Sequence, residues 1–229
     1  MLAGVSTARR RVVLTAAVAL VAALVVSGVL TARAAAHQST CERFATASAK
    51  RAAQVTGSGE RVVVIGDSWS AGLGLDHPVQ SWPSRLPGRV HVAGFSGSGF
   101  SAKASPCGHV SFAARAPAAL RGGADLVVVE GGRNDFDRSR AEIRSGFLRL
   151  VDATAAYPTV VVGPAPAPSR AAAVPRVDRL LRHLSEKYGV DYVSTADMKL
   201  PYLADRLHLT AKGHRLFGDA VAARIALLH

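Results

Sequence analysis

Cysteine is scarce in this chain: there are two, Cys41 and Cys107. Neither lies in a C-x-x-C pair or beside a candidate base, which argues against cysteine catalysis and against a disulfide-dense miniprotein. Metal-site spacing is missing too. No H-E-x-x-H or H-x-H occurs, so no metal centre and no cofactor is expected. Neither G-x-G-x-x-G nor a P-loop with its lysine is present to cradle a phosphate. Aromatic residues make up only 6%, and no basic cluster interleaves with them as a base-stacking surface would. The net charge of +12 therefore reads as scattered single arginines in an Ala/Gly/Val/Arg-rich composition, and no nucleic-acid partner is expected. Internal repeats and long low-complexity tracts are also lacking. The 229 residues suffice for one domain with a buried core plus a short leader.

What is present begins at the N-terminus. Arg9, Arg10 and Arg11 precede an uncharged, mostly apolar run from Val12 to Leu30, followed by the small residues Ala34 to Ala36. A basic flank before an apolar run directs a chain into export with the arginines left inside. A cleaved signal peptide and a retained single-pass membrane anchor both fit residues 1–36. Either outcome puts the rest outside the cytoplasm, secreted or anchored to the membrane by one helix. In an oxidising compartment Cys41 and Cys107 become a disulfide candidate, worth about 4 kcal/mol by loop-closure entropy less any strain. Lipid attachment at Cys41 and two free thiols are the rival readings. Residues 37–60, rich in Ala, Ser and Thr, read as a linker or lead-in with a short helix around Cys41 to Val55.

From residue 61 to 229 short Val/Ile-rich runs alternate with helical patterns. Strands are expected at Arg61–Ile65, Val90–Ala93, Asp125–Glu130, Thr159–Val162 and Val190–Val193. Continuous apolar runs suit strands buried on both faces of a parallel sheet. Helices are expected over about Arg138–Tyr157, Ala171–Tyr188 (stopped by Gly189) and Thr210–Leu228 (opened by Thr210 as N-cap). Five strands with crossover helices give a doubly wound, three-layer α/β/α fold, whose crevice lies outside the carboxyl ends of the strands.

Four short motifs fall at that end. Gly66-Asp67-Ser68 follows the first strand and sets Ser68 at the start of a helix, where backbone N–H groups and the helix dipole favour a developing oxyanion. Gly94-Phe95-Ser96-Gly97-Ser98-Gly99 follows the second strand and can present a backbone N–H. Gly132-Arg133-Asn134-Asp135 follows the third, and Asn134 can donate its side-chain amide. Last, Asp205-Arg206-Leu207-His208 precedes the final helix. A carboxylate three residues before a histidine can hold Nδ1–H and leave Nε2 free to take a serine proton. His214 is a rival base whose expected role is structural.

In that order, each at a strand end or in the last loop, these blocks resemble those of the GDSL/SGNH hydrolase family. The resemblance covers about Arg61 to the C-terminus. It implies a flavodoxin-like five-stranded parallel sheet, here preceded by an N-terminal hydrophobic helix, and hydrolysis of carboxylic esters without a metal. It carries the nucleophile onto Ser68, the base onto His208 and the orienting carboxylate onto Asp205. The oxyanion donors it implies are the Ser68 and Gly97 backbone N–H groups and Asn134. Two features depart from the common pattern. Tryptophan follows the serine, and the second block lacks an asparagine before its glycine, which leaves Gly94 and Gly99 as alternatives to Gly97. The G-x-S-x-G elbow of the α/β-hydrolases is absent.

The expected function is thus a monomeric serine esterase acting outside the cytoplasm on a small-molecule, lipid or acylated-glycan ester. Acyl transfer from the same site and a catalytically silent envelope-binding domain are the alternatives, and an uncleaved leader would make the membrane a partner. Trp69, Trp82, Phe95 and Phe100 are open to either a pocket-lining or a core reading. Arg133 is open to either an acidic substrate group or solvent.

Overall fold

A computed structural model describes residues 4–228; the first three residues of the expected leader lie outside the described residues. Two compact units divide the chain between Arg43 and Phe44, inside one continuous helix, α1 (Gly4–Ala52). In the first unit the large apolar side chains from Val12 to Leu30 stand exposed. Arg11–Ala52 is long and apolar enough to cross a membrane by length and composition, with a mean hydropathy of 2.7 in its most apolar window. Neither cysteine is free: Cys41 and Cys107 are both disulfide-bonded.

The short helix expected near Cys41 is the end of α1. Its last turns belong to the second unit, where Phe44 meets Phe95 edge-on, ring centroids 6.3 Å apart. Arg51 is fully buried there and donates through Nε to Ser81 Oγ at 3.1 Å.

The second unit is built on β1 (Arg61–Gly66), β2 (Arg89–Gly94), β3 (Leu126–Glu130), β4 (Thr159–Val162) and β5 (Asp191–Val193). All neighbours are parallel, in the order β2-β1-β3-β4-β5. The intervening helices are α2 (Ser68–Ala71), α3 (Phe112–Ala119), α4 (Arg140–Thr154), α5 (Val174–Tyr188) and α6 (Ala211–Ile225). The three-layer doubly wound fold expected from the alternation is present. Only α3 had no sequence signal: it is short and carries Pro117 within it.

The strands bury both faces, which is why their sequences run apolar without alternation. Val62 and Val64 pack with Phe217 and Val221 of α6, whereas Val63 and Ile65 pack with Phe112, Phe147 and Leu181 of α3, α4 and α5. Each such Val, Leu or Ile stabilises the fold by roughly 1.5–3 kcal/mol.

The register then does the positioning. Gly66 at the end of β1 pairs with Gly94 of β2 on one side and Glu130 of β3 on the other. The three segments that follow therefore leave the sheet side by side. They leave it at the switch between β1 and β3, where a doubly wound sheet opens its crevice.

Candidate active site

The turn that carries Ser68 starts where β1 ends. Asp67 caps α2, its Oδ1 accepting the Trp69 backbone N–H at 2.9 Å, and Gly72 closes the helix in the left-handed conformation (φ 76°). The helix is thus a single turn of four residues. This corrects the expectation that a helix dipole supports Ser68, because one turn aligns too few peptide dipoles.

Thr210 caps α6, accepting from the Gly213 N–H at 3.1 Å, and the loop that carries Asp205 and His208 immediately precedes it. In that loop Asp205 Oδ1 accepts the backbone N–H groups of Leu207 and His208, both at 2.9 Å, and Oδ2 lies 2.6 Å from His208 Nδ1. Burial disfavours the charged carboxylate, but the hydrogen bonds from His208 and Leu207 outweigh it and hold Asp205 down at about 2. An ionised Asp205 can only accept, so Nδ1–H donates to it, and in the neutral imidazole Nε2 is then the acceptor. That nitrogen stands 3.1 Å from Ser68 Oγ, which donates to it.

Asn134 lies in the 3-10 turn Arg133–Asp135 after β3, and its Nδ2 donates to the Ser98 carbonyl at 2.8 Å, with Asp67 Oδ2 farther off at 3.5 Å. The segment after β2 is thereby tied to the segment after β3. Among its glycines, Gly94 and Gly99 have packing reasons. A Cβ on Gly94 would meet the Ala71 backbone nitrogen at 2.5 Å, and one on Gly99 would run into the Asp135 carboxylate. Gly97 instead sits at φ 81° with its nearest neighbour, Ser105 Oγ, at 3.7 Å, so there it is the turn that requires glycine.

Two side chains, one half-buried and one buried, hold these segments without any sequence signal. Arg115 of α3 donates to the Ala93 carbonyl, to the Gly66 carbonyl and Ser98 Oγ at 2.9 Å each, and through Nε to the Val110 carbonyl at 2.9 Å. Asp135 accepts the N–H groups of Phe100 and Ser101 at 3.0 and 2.8 Å; burial pushes its carboxyl up to about 7 against those bonds.

Next to Ser68 in sequence, Asp67 belongs to an ion cluster. Arg133 is 2% exposed, so it neither reaches substrate nor sits in solvent. Its Nη2 donates to both Asp67 oxygens, at 3.0 and 2.9 Å, and to Glu130 Oε1. Glu130 Oε2 accepts from Ser70 Oγ at 3.0 Å, and Ser70 Oγ accepts the Trp82 indole N–H at 3.1 Å. With one cation between two carboxylates, burial pushes Glu130 up to about 7.

Trp69, Trp82, Phe95 and Phe100 are all buried, which settles them as core. His214 is fully buried, and its Nδ1 accepts the Trp82 backbone N–H at 3.3 Å. Burial lowers it to about 3, so it stays neutral and structural.

Residues 64–216 match the family model described as the GDSL-like lipase/acylhydrolase family. The chain belongs to that family. Among curated proteins none matches. Solved structures resemble it in fold. They include Est24, a carbohydrate acetylesterase from Sinorhizobium meliloti (23% identity, TM-score 0.62, 75% of this chain against 100% of that one). The inhibitor-bound aryl esterase of M. smegmatis gives 19% and 0.64 over the same shares. The psychrotrophic esterase EstA from Pseudoalteromonas sp. gives 19% and 0.59, again over 75% and 100%. At these identities the likeness is one of fold, and the site has to be read from this chain's own residues.

Proposed function

We propose that this chain is a serine esterase that hydrolyses carboxylic esters outside the cytoplasm by a Ser68–His208–Asp205 acyl-enzyme route. The observation that carries the reading is the continuous chain of contacts Ser68 Oγ–Nε2 at 3.1 Å and Nδ1–Asp205 at 2.6 Å. As Oγ forms its bond to the ester carbonyl carbon, its proton passes to Nε2, and Asp205 stabilises the imidazolium that results. The carbonyl oxygen takes the negative charge and rests on the backbone N–H groups of Ser68 and Gly97 and on the second Asn134 amide hydrogen, which turns to it from its long contact with Asp67 Oδ2 at 3.5 Å. His208 returns its proton to the leaving alcohol, and a water deprotonated by the same Nε2 then releases the acid.

The family resemblance implies the roles of Gly97 and Asn134; the positive φ of Gly97 and the tie from Asn134 to the Ser98 carbonyl are compatible with them. Export is supported by the exposed apolar stretch of α1 and by two oxidised cysteines. Whether α1 stays as an anchor decides between a membrane-held and a secreted enzyme. Short acyl esters of carbohydrates or aryl alcohols are the first substrates to try, since structural neighbours are named for them. The test is turnover of nitrophenyl esters of graded chain length by the wild type and by Ser68→Ala. Loss of all turnover in the variant is expected; retained turnover would remove Ser68 from the mechanism.

A further inference from the structure

The base loop is largely tied to itself. The Leu203 N–H donates to the His208 carbonyl at 2.8 Å, the Arg206 N–H to the Leu203 carbonyl at 2.9 Å, and the Thr210 N–H to the Pro201 carbonyl at 3.2 Å. Such a loop keeps its own shape, and Leu209, Leu207 and Tyr202 seat it on the core; its finer distance from a serine on another segment is left to hydrogen bonds. Among the described residues two hydrogen bonds join it to the nucleophile turn. One is Ser68–His208 itself; the other runs from the Trp69 indole Nε1–H to the Leu207 carbonyl at 3.1 Å.

From the second bond we infer that Trp69 is a positioning residue for the reaction, setting His208 against Ser68 by clamping the Leu207–His208 peptide. That peptide is held at both of its polar atoms. Its carbonyl accepts from the Trp69 indole, and its N–H donates to Asp205 Oδ1 at 2.9 Å. With the plane fixed, the Cα of His208 has little freedom, and the ring is aimed by the Asp205 Oδ2–Nδ1 contact.

The indole is itself immobilised. Trp69 is 1% exposed, lies edge-on to Phe217 with centroids 5.2 Å apart, and has the Arg133 guanidinium over its face at 3.6 Å. Arg133 is in turn pinned by Asp67, next to Ser68, and by Glu130 at the end of β3. A single rigid body therefore contains the residue next to the nucleophile and the donor that holds the residue next to the base. Trp69 is also where the chain departs from the family's common motif; an aliphatic side chain after the serine has no donor to offer Leu207.

This inference rests on the esterase reading above, and its test keeps the two apart. Trp69→Phe removes the indole N–H and leaves an aromatic ring under Arg133. Replacing Trp69 alone with β-(3-benzothienyl)alanine, by site-specific incorporation, removes the N–H while keeping the bicyclic shape, and covers the case in which phenylalanine packs too loosely to fold. Turnover of nitrophenyl acetate is measured per active site, the sites being counted by a fluorophosphonate titration. Both variants should lose about tenfold to a hundredfold in kcat with KM within twofold, and their fluorophosphonate labelling should slow in parallel. A packing role alone would lower Tm and the count of active sites but leave kcat per site at the wild-type value; that result overturns the inference and leaves the esterase reading standing. Wild-type turnover surviving in Ser68→Ala would overturn both.

Discussion

His208 Nε2 stands 3.1 Å from Ser68 Oγ across 140 residues of chain. No local feature of either segment produces that distance. It follows from the parallel register that ends β1 at the crevice, from the cap that starts α6, and from the loop that Asp205 folds around its own carboxylate.

The tautomer is the first point to test. In Asp205→Asn the amide can donate where the carboxylate accepts, which turns the Nε2–H toward Ser68 and removes the acceptor. A fall in kcat on the order of 10²–10⁴ with KM little changed is expected in nitrophenyl ester assays. A variant within a factor of three of wild type would remove Asp205 from its assigned role.

Asn134→Ala takes away the proposed side-chain oxyanion donor and the tie to Ser98. A loss of ~10²–10³ in kcat is expected, with KM nearly unchanged. A loss confined to KM would mean that Asn134 binds the ground-state substrate instead.

Arg115, half-buried, pins the segment that carries Gly97. Arg115→Ala removes a donor from the carbonyls of Ala93 and Val110 and one of several from the Gly66 carbonyl, which keeps the Phe95 N–H. The expected cost is ~2–4 kcal/mol, seen as a Tm lower by roughly 5–15 °C. An unchanged Tm would show that this arginine is dispensable.

Glu130 gives a pH signature. Burial raises its carboxyl to about 7, above its ordinary value, so the folded chain takes up a proton that the unfolded chain has already lost. The stabilisation is complete below the ordinary carboxyl range and disappears as pH rises through about 7. Between pH 5 and pH 8 the wild-type Tm should therefore fall by more than that of Glu130→Gln. Parallel pH profiles for the two proteins would contradict the assignment.

The sheet was legible because buried parallel strands need unbroken Val/Ile runs. The crevice was legible because each motif ends such a run. Asp205 and His208 are neighbours in sequence, so their pairing can be read from spacing. The buried framework cannot. Arg115 reaches Gly66 and Ser98 across 49 and 17 residues, and Arg133 reaches Asp67 across 66. In sequence each is one more arginine in an arginine-rich chain, and only the fold tells a buried one from a solvated one. Trp69 hid its role in the same way, since Leu207 offers a backbone carbonyl that no side-chain pattern announces. The single-turn length of α2 was also illegible, because it is set by Gly72 turning left-handed four residues after Ser68.

The most direct measurement is the mass of the intact protein after reaction with a fluorophosphonate, followed by mapping of the modified peptide. One adduct on Ser68, formed by the wild type and absent from Ser68→Ala, is the predicted result. An adduct on another residue, or an unmodified wild type that still turns over esters, would contradict the account.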